Sequence, residues 1–130
     1  MEEFGLDLKD ARIVVVGCGG AGSNTINRLT NMGVEGAKTV ALNTDVKHLS
    51  RTNAHHKLLI GKDLTRGLGA GGYPEVGRNA ALESEKDIKK VLAEADMVYI
   101  VTGLEGGTGT GSAPVDAKIA KELGAITIGA

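Results

Sequence analysis

Cysteine occurs once, at Cys18, so no internal disulfide framework holds this chain, and a lone thiol fits a reducing compartment. Tryptophan is absent, and the aromatic residues are Phe4, Tyr73 and Tyr99 alone. The formal net charge is −1, with acidic and basic residues interspersed. Without a basic stripe or a set of stacking rings, a protein built around nucleic acid is not expected. Long apolar runs are missing too. Stretches such as Ile13–Val16 and Met97–Val101 are strand-sized and far too short to span a bilayer, so no membrane insertion is expected. The N-terminus, Met1-Glu2-Glu3, is acidic and lacks the basic region of a signal peptide. Together these absences point to a cytoplasmic protein.

Glycine is what the sequence has in excess, 20 residues of 130. No G-X-Y period runs through them, which excludes collagen. They gather at 17–22, 67–72 and 103–111, as expected of backbone that must approach a ligand closely.

The chain reads as strands alternating with helices. After a polar lead-in over residues 1–10, Arg12–Val16 is a β-branched run ending in Gly17, the pattern of a strand buried on both faces. Ser23–Met32 carries apolar residues at 26, 29 and 32, a helical spacing, with Gly33 as its C-terminal stop. Lys38–Leu42 reads as strand two, Asp45–Arg51 as a short helical turn and Lys57–Ile60 as strand three. Gly61–Tyr73 reads as a long glycine-rich loop. Pro74 opens a helix that Ser84–Asp87 interrupts before Ile88, Val91 and Leu92 resume it. Asp96–Val101 is strand four, Pro114–Leu123 a helix and Ala125–Ile128 the start of strand five. Such alternation predicts a doubly wound, Rossmann-like parallel α/β sheet of about five strands, with helices on both faces. One domain is expected over residues 11–130. A strand ending at an unpaired sheet edge suggests that more protein follows residue 130 and that the chain is a fragment.

Gly17-Cys18-Gly19-Gly20-Ala21-Gly22-Ser23-Asn24 joins strand one to helix one. Backbone N–H groups at a helix N-terminus attract anions, and glycine lets phosphate come near. The Gly17-x-Gly19-x-x-Gly22 spacing matches the dinucleotide fingerprint, and Asn43-Thr44-Asp45 ends strand two where a ribose partner is expected. No Gly-Lys-Ser/Thr follows, so it is not a Walker A loop. This loop alone leaves NAD-type and GTP-type binding level. Thr102–Ser112 supplies a second glycine-rich strand-to-helix loop, whose N–H groups form an anion nest and whose Thr108 and Thr110 add hydroxyls. A simple dehydrogenase does not need that second cradle.

Gly106-Gly107-Thr108-Gly109-Thr110-Gly111, followed by Ser112-Ala113-Pro114, closely resembles the signature of the tubulin/FtsZ family. Gly17–Asn24, Asn43-Thr44-Asp45 and Gly67–Gly77 are similar to that family's other nucleotide loops, in order and spacing. The likeness covers essentially residues 11–130 and is closer to FtsZ, of a prokaryotic, archaeal-like kind, than to eukaryotic tubulin.

The resemblance implies GTP or GDP as ligand, head-to-tail self-association into filaments, and a place at the division site of the cell. It implies that Gly19, Gly20, Ala21 and Gly22 contact the α- and β-phosphates, and that Gly106, Gly107, Thr108 and Gly109, with Thr110 beside them, wrap the β-phosphate. Ala70, Gly71 and Gly72 then sit by the γ-phosphate, Asn24 and Asn27 reach toward sugar or base, and Asn43 and Asp45 belong to the site, Asp45 near a Mg²⁺. No residue is assigned as catalytic or as a metal ligand.

Two departures qualify this. Glu105 stands where the family carries the first glycine of its signature, so a carboxylate near the phosphates is expected to weaken binding. The family's central helix and second domain, which supply the groups that trigger hydrolysis on a neighbouring subunit, have no counterpart here. The chain alone is therefore expected to turn over GTP negligibly, though its unpaired edge allows dimerisation or strand exchange. The other readings are an NAD(P)-binding domain, supported by the first loop only, and a nucleotide-free interaction module. His55-His56 reads as packing or surface rather than metal ligation, and Cys18 as a small residue chosen for fit, with a reactive thiol as the alternative.

Overall fold

A computed structural model describes residues 11–103 and 107–129. The elements follow in strict alternation at first: β1 (Ile13–Cys18), α1 (Gly19–Met32), β2 (Ala37–Asn43), α2 (Val46–Ser50) and β3 (His56–Leu59). Then come α3 (Lys62–Thr65), α4 (Pro74–Glu83), α5 (Glu85–Leu92), β4 (Met97–Thr102), α6 (Gly107–Glu122) and β5 (Ile126–Gly129). The five strands form one sheet in the order β3-β2-β1-β4-β5, every pair parallel. This is the doubly wound arrangement the alternation predicted.

The winding order reverses between β1 and β4, a parallel pair whose register runs from Ile13 opposite Met97 to Cys18 opposite Thr102. Successive strand residues feed two cores. Val14, Val16, Val40, Leu42, Val98 and Ile100 pack under α4, α5 and α6. On the other face Ala41 and Val15 meet Ile26 and Leu29 of α1 and Leu49 of α2. Burial on both faces is why these strands read as unbroken apolar runs.

Two helices begin earlier than the sequence suggested. α1 starts at Gly19 rather than Ser23, and α6 at Gly107 rather than Pro114. Glycine has poor helix propensity, but here its missing side chain decides the matter. A Cβ on Gly111 would lie 2.6 Å from the Arg78 backbone nitrogen, so only glycine lets α6 press this closely on α4. The parts of the two supposed loops over Gly19–Asn24 and Gly107–Ser112 are thus the opening turns of helices.

The stretch read as one loop, Gly61–Tyr73, contains α3. Its N-terminal N–H groups are capped from a distance: Asp63 and Leu64 donate to the Glu83 carboxylate at 3.3 and 3.1 Å. The break read at Ser84–Asp87 is real and sits at Ser84, whose buried hydroxyl accepts the Gly61 N–H at 2.9 Å. Among the described residues no helix is long and apolar enough to cross a membrane.

Candidate nucleotide site

At the C-terminal ends of β1, β2 and β4 the sheet opens into a cleft of about 540 Å³. Doubly wound sheets bind ligands at this end, where the winding reverses. A larger cavity, about 760 Å³, lies at the opposite ends of the strands beside Ala11, Arg12, Lys38 and Glu94. Among the described residues no helix's first turn lines that one. The smaller cleft is the better candidate on physical grounds.

The first turns of α1 and α6 meet there. Gly20 and Ala21 line it from α1, and Gly107, Thr108 and Gly109 from α6. The first N–H groups of a helix lack intrahelical acceptors, and each helix end carries about half a positive charge. The two ends are packed tightly: a Cβ on Gly19, at φ +75°, would lie 2.7 Å from the Gly109 nitrogen. No lysine or arginine lines the cleft among the described residues, so its attraction for anions resides in backbone N–H groups.

The remaining wall comes from the end of β2 and the segment after α3. Asn43, Thr44, Asp45 and His48 form one side, and Leu68, Gly69, Ala70, Gly71 and Gly72 the other. The two sides are joined by a bridge between Asp45 and Leu68 and by the Gly69 N–H donating to Thr44 O at 3.2 Å. Thr44 and Thr108 share a hydroxyl–hydroxyl hydrogen bond of 2.6 Å. Asp45 caps α2, its Oδ1 accepting from the N–H groups of Lys47 and His48 at 3.0 and 3.1 Å.

The cleft therefore gathers Gly20, Ala21, Asn24, Asn43, Asp45, Ala70, Gly71, Gly72, Gly107, Thr108 and Gly109 of the expected set. Three expected residues stand apart from its lining. Gly19 is buried at the seam between α1 and α6. Gly22 is buried where α1 crosses β4; a Cβ there would be 2.6 Å from Val101 O. Thr110 is exposed, and its hydroxyl donates to Gly103 O at 3.4 Å, beside a separate apolar recess. Gly106 and Glu105 lie outside the described residues. Asn27 is also occupied elsewhere, its Oδ1 accepting the Asn53 N–H at 2.6 Å.

Thr44, His48, Leu68 and Gly69 line the cleft without having been singled out. Thr44 sat inside a motif already noticed. His48 carried one faint signal, its place three residues after an Asp that caps its helix.

Beneath the cleft, Cys18 faces the core. Its thiol donates to Asp116 Oδ2 at 3.0 Å, and burial together with the Asp116 carboxyl pushes the thiol well above its ordinary range. It is an inert core residue, not a reactive thiol. Asp116 is fully buried, and burial raises its carboxyl to about 7. His55 is exposed and hydrogen-bonded to the neighbouring strand, Nδ1 accepting the Thr39 N–H at 2.8 Å. Among the described residues no three His, Cys, Asp or Glu side chains converge as metal ligands.

Comparison with known proteins agrees with this geometry. The model of the tubulin/FtsZ family, GTPase domain, matches residues 12–130. The chain is 63% identical over 118 residues to cell division protein FtsZ 1 of Methanocaldococcus jannaschii, covering 91% of this chain and 32% of that protein. It superposes on the empty FtsZ dimer of M. jannaschii with a TM-score of 0.92 at 58% identity, covering 98% of this chain and 37% of that one. CetZ2 from Haloferax volcanii, solved as a GTPγS-bound protofilament, aligns with a TM-score of 0.74 at 30% identity, covering 91% of this chain and 39% of that one. The chain spans about a third of the length of the curated relatives it matches. The chain belongs to the tubulin/FtsZ family, and what it carries is the family's GTPase domain.

Proposed function

We propose that this chain binds GTP and GDP in the cleft between α1 and α6, as the nucleotide-binding part of a cytoplasmic, FtsZ-like cell-division protein. In the whole protein the site would serve a GTPase that assembles head to tail. The observation that carries the reading is the convergence of two glycine-rich helix N-termini on one cleft at the switch point of the sheet. A single such terminus would suit a dinucleotide; two suit a chain of phosphates.

Within this reading, Gly20, Ala21, Gly107, Thr108 and Gly109 hold the α- and β-phosphates. Ala70, Gly71 and Gly72 lie by the γ-phosphate, and Asn24 and Asn43 lie toward the nucleoside. Among the described residues Asp45 is the carboxylate lining the cleft, and one of its oxygens is committed to capping α2. The residues fit a Mg²⁺ carried mainly by the phosphates and waters, with Asp45 supplying at most a remaining oxygen.

Hydrolysis needs a group to orient or deprotonate water. Among the described residues the cleft's titratable side chains are Asp45, capping a helix, and His48, with both ring nitrogens hydrogen-bonded. On this reading the described part of the site binds, and the groups for the reaction come from a neighbouring subunit. Titration with GTP, GDP, ATP and NAD tests the assignment. Guanine nucleotides should bind and NAD should not; selective binding of NAD would replace this reading with a dehydrogenase-type domain, and no binding at all with a scaffold.

A further inference from the structure

Asn43 fixes a chain of hydrogen bonds whose polarity can be followed atom by atom. Its Oδ1 accepts from two backbone N–H groups, Thr44 at 2.8 Å and Asp45 at 3.2 Å. Backbone N–H groups only donate, so this amide has one orientation, with its Nδ2 turned to His48 Nδ1 at 3.1 Å. Nδ2 is a donor, which makes His48 Nδ1 the acceptor and places the hydrogen of the neutral ring on Nε2. Nε2 in turn lies 3.1 Å from Asn24 Oδ1 and donates to it. Asn24 is thereby held with its oxygen toward the histidine.

The backbone N–H of His48 is tied to the Asp45 carboxylate, and the Cε1 edge of its ring lies 3.6 Å from the point where a Cβ on Gly20 would stand. Asn24 lies one helical turn beyond Gly20 on α1, about 6 Å along the axis. It lines the cleft and its position is exposed. On the nucleotide reading, with phosphates resting on the first turn of α1, this is the part of the cleft wall next to them.

We propose that His48 is a positioning residue, which orients Asn24 so that its NH₂ group donates to an acceptor on the nucleoside of the bound nucleotide. The role rests on the nucleotide reading above. It makes His48 matter for nucleosides and not for phosphates, since the phosphate contacts belong to α1 and α6 backbone.

Affinity for GDP and for inorganic pyrophosphate, measured by calorimetry on the same proteins, separates these. His48→Phe keeps a ring and removes both nitrogens; GDP should bind about tenfold more weakly and pyrophosphate unchanged. His48→Gln offers one acceptor and one donor and should recover most of the loss. Asn24→Ala, at an exposed position, should show the same GDP-specific loss and make His48→Phe silent when the two are combined. Nitrogen-15 spectra of the wild-type imidazole should show the Nε2–H tautomer. An Nδ1–H tautomer, additive effects of Asn24→Ala and His48→Phe, or equal weakening of GDP and pyrophosphate by His48→Phe would overturn the role. Wild-type protein that binds neither ligand would remove the nucleotide reading itself, and this role with it.

Discussion

The hydroxyls of Thr44 and Thr108, 64 positions apart in sequence, meet at 2.6 Å, and both residues are buried. One follows β2 directly and the other lies in the first turn of α6, so this bond ties the two walls of the cleft together. Thr108→Val keeps the shape and leaves the Thr44 hydroxyl without that partner. A buried hydroxyl stripped of its partner costs about 1–3 kcal/mol. Thermal or urea unfolding should register that loss, and GDP should bind more weakly. A variant as stable as wild type would show that the bond contributes nothing.

Gly111 measures how closely α6 lies on α4. An added Cβ would meet backbone atoms of α4, including the Arg78 nitrogen at 2.6 Å, and backbone cannot swing aside as a side chain can. Gly111→Ala should destabilise the fold by more than the 1–3 kcal/mol typical of overpacking, or prevent folding. Gly124→Ala tests a different cost: nothing lies within 4 Å of its Cβ position, but φ is +85°. That variant should lose about 1 kcal/mol through backbone strain alone. Denaturant midpoints of the two variants check the contrast.

Asp116 gives stability an unusual dependence on pH. Its carboxyl ionises at an ordinary 3.8 when unfolded, but burial holds it protonated to about 7 in the fold. Oδ1 has no hydrogen-bond partner among the described residues to stabilise a charge. Between those two values the folded state binds the extra proton. This site's contribution therefore falls as pH rises through the window and levels off above it, by roughly 4 kcal/mol in all. Asp116→Asn should abolish that slope and be relatively more stable at pH 8 than at pH 4. Urea midpoints for both proteins across the window decide it; parallel curves would mean that Asp116 does not titrate there.

Glu105 follows from sequence alone, as it lies outside the described residues. A carboxylate beside a phosphate site should weaken binding, so Glu105→Gly is expected to bind GDP more tightly. Equal dissociation constants would refute this. In either form, GTP turnover by this chain alone should be negligible, as phosphate release assays will show.

Much of this was legible in the sequence because the signals were local. The β-branched run Ile13–Val16 fixed a doubly buried strand, and the glycine clusters marked the end of the sheet where a ligand binds. The errors have non-local causes. α3 is capped by Glu83 from another helix, and no window around Lys62 contains that residue. α6 begins seven residues before Pro114 because its glycines answer to α4, not to helix propensity. Gly22 stands apart from the cleft lining because it packs where α1 crosses β4, a neighbour its place in the glycine motif does not reveal. His48 was passed over because its hydrogen bonds reach Asn24 and Asn43, which only the fold brings to it.

The central claim is that phosphates sit where α1 and α6 begin, and backbone amide NMR during a GDP titration tests it most directly. The account predicts saturable shifts concentrated at Gly20, Ala21, Ala70–Gly72 and Gly107–Gly109, with the far ends of the strands around Ala11 and Lys38 unmoved. Shifts centred on that far cavity instead, or no shifts at saturating GDP, would contradict it.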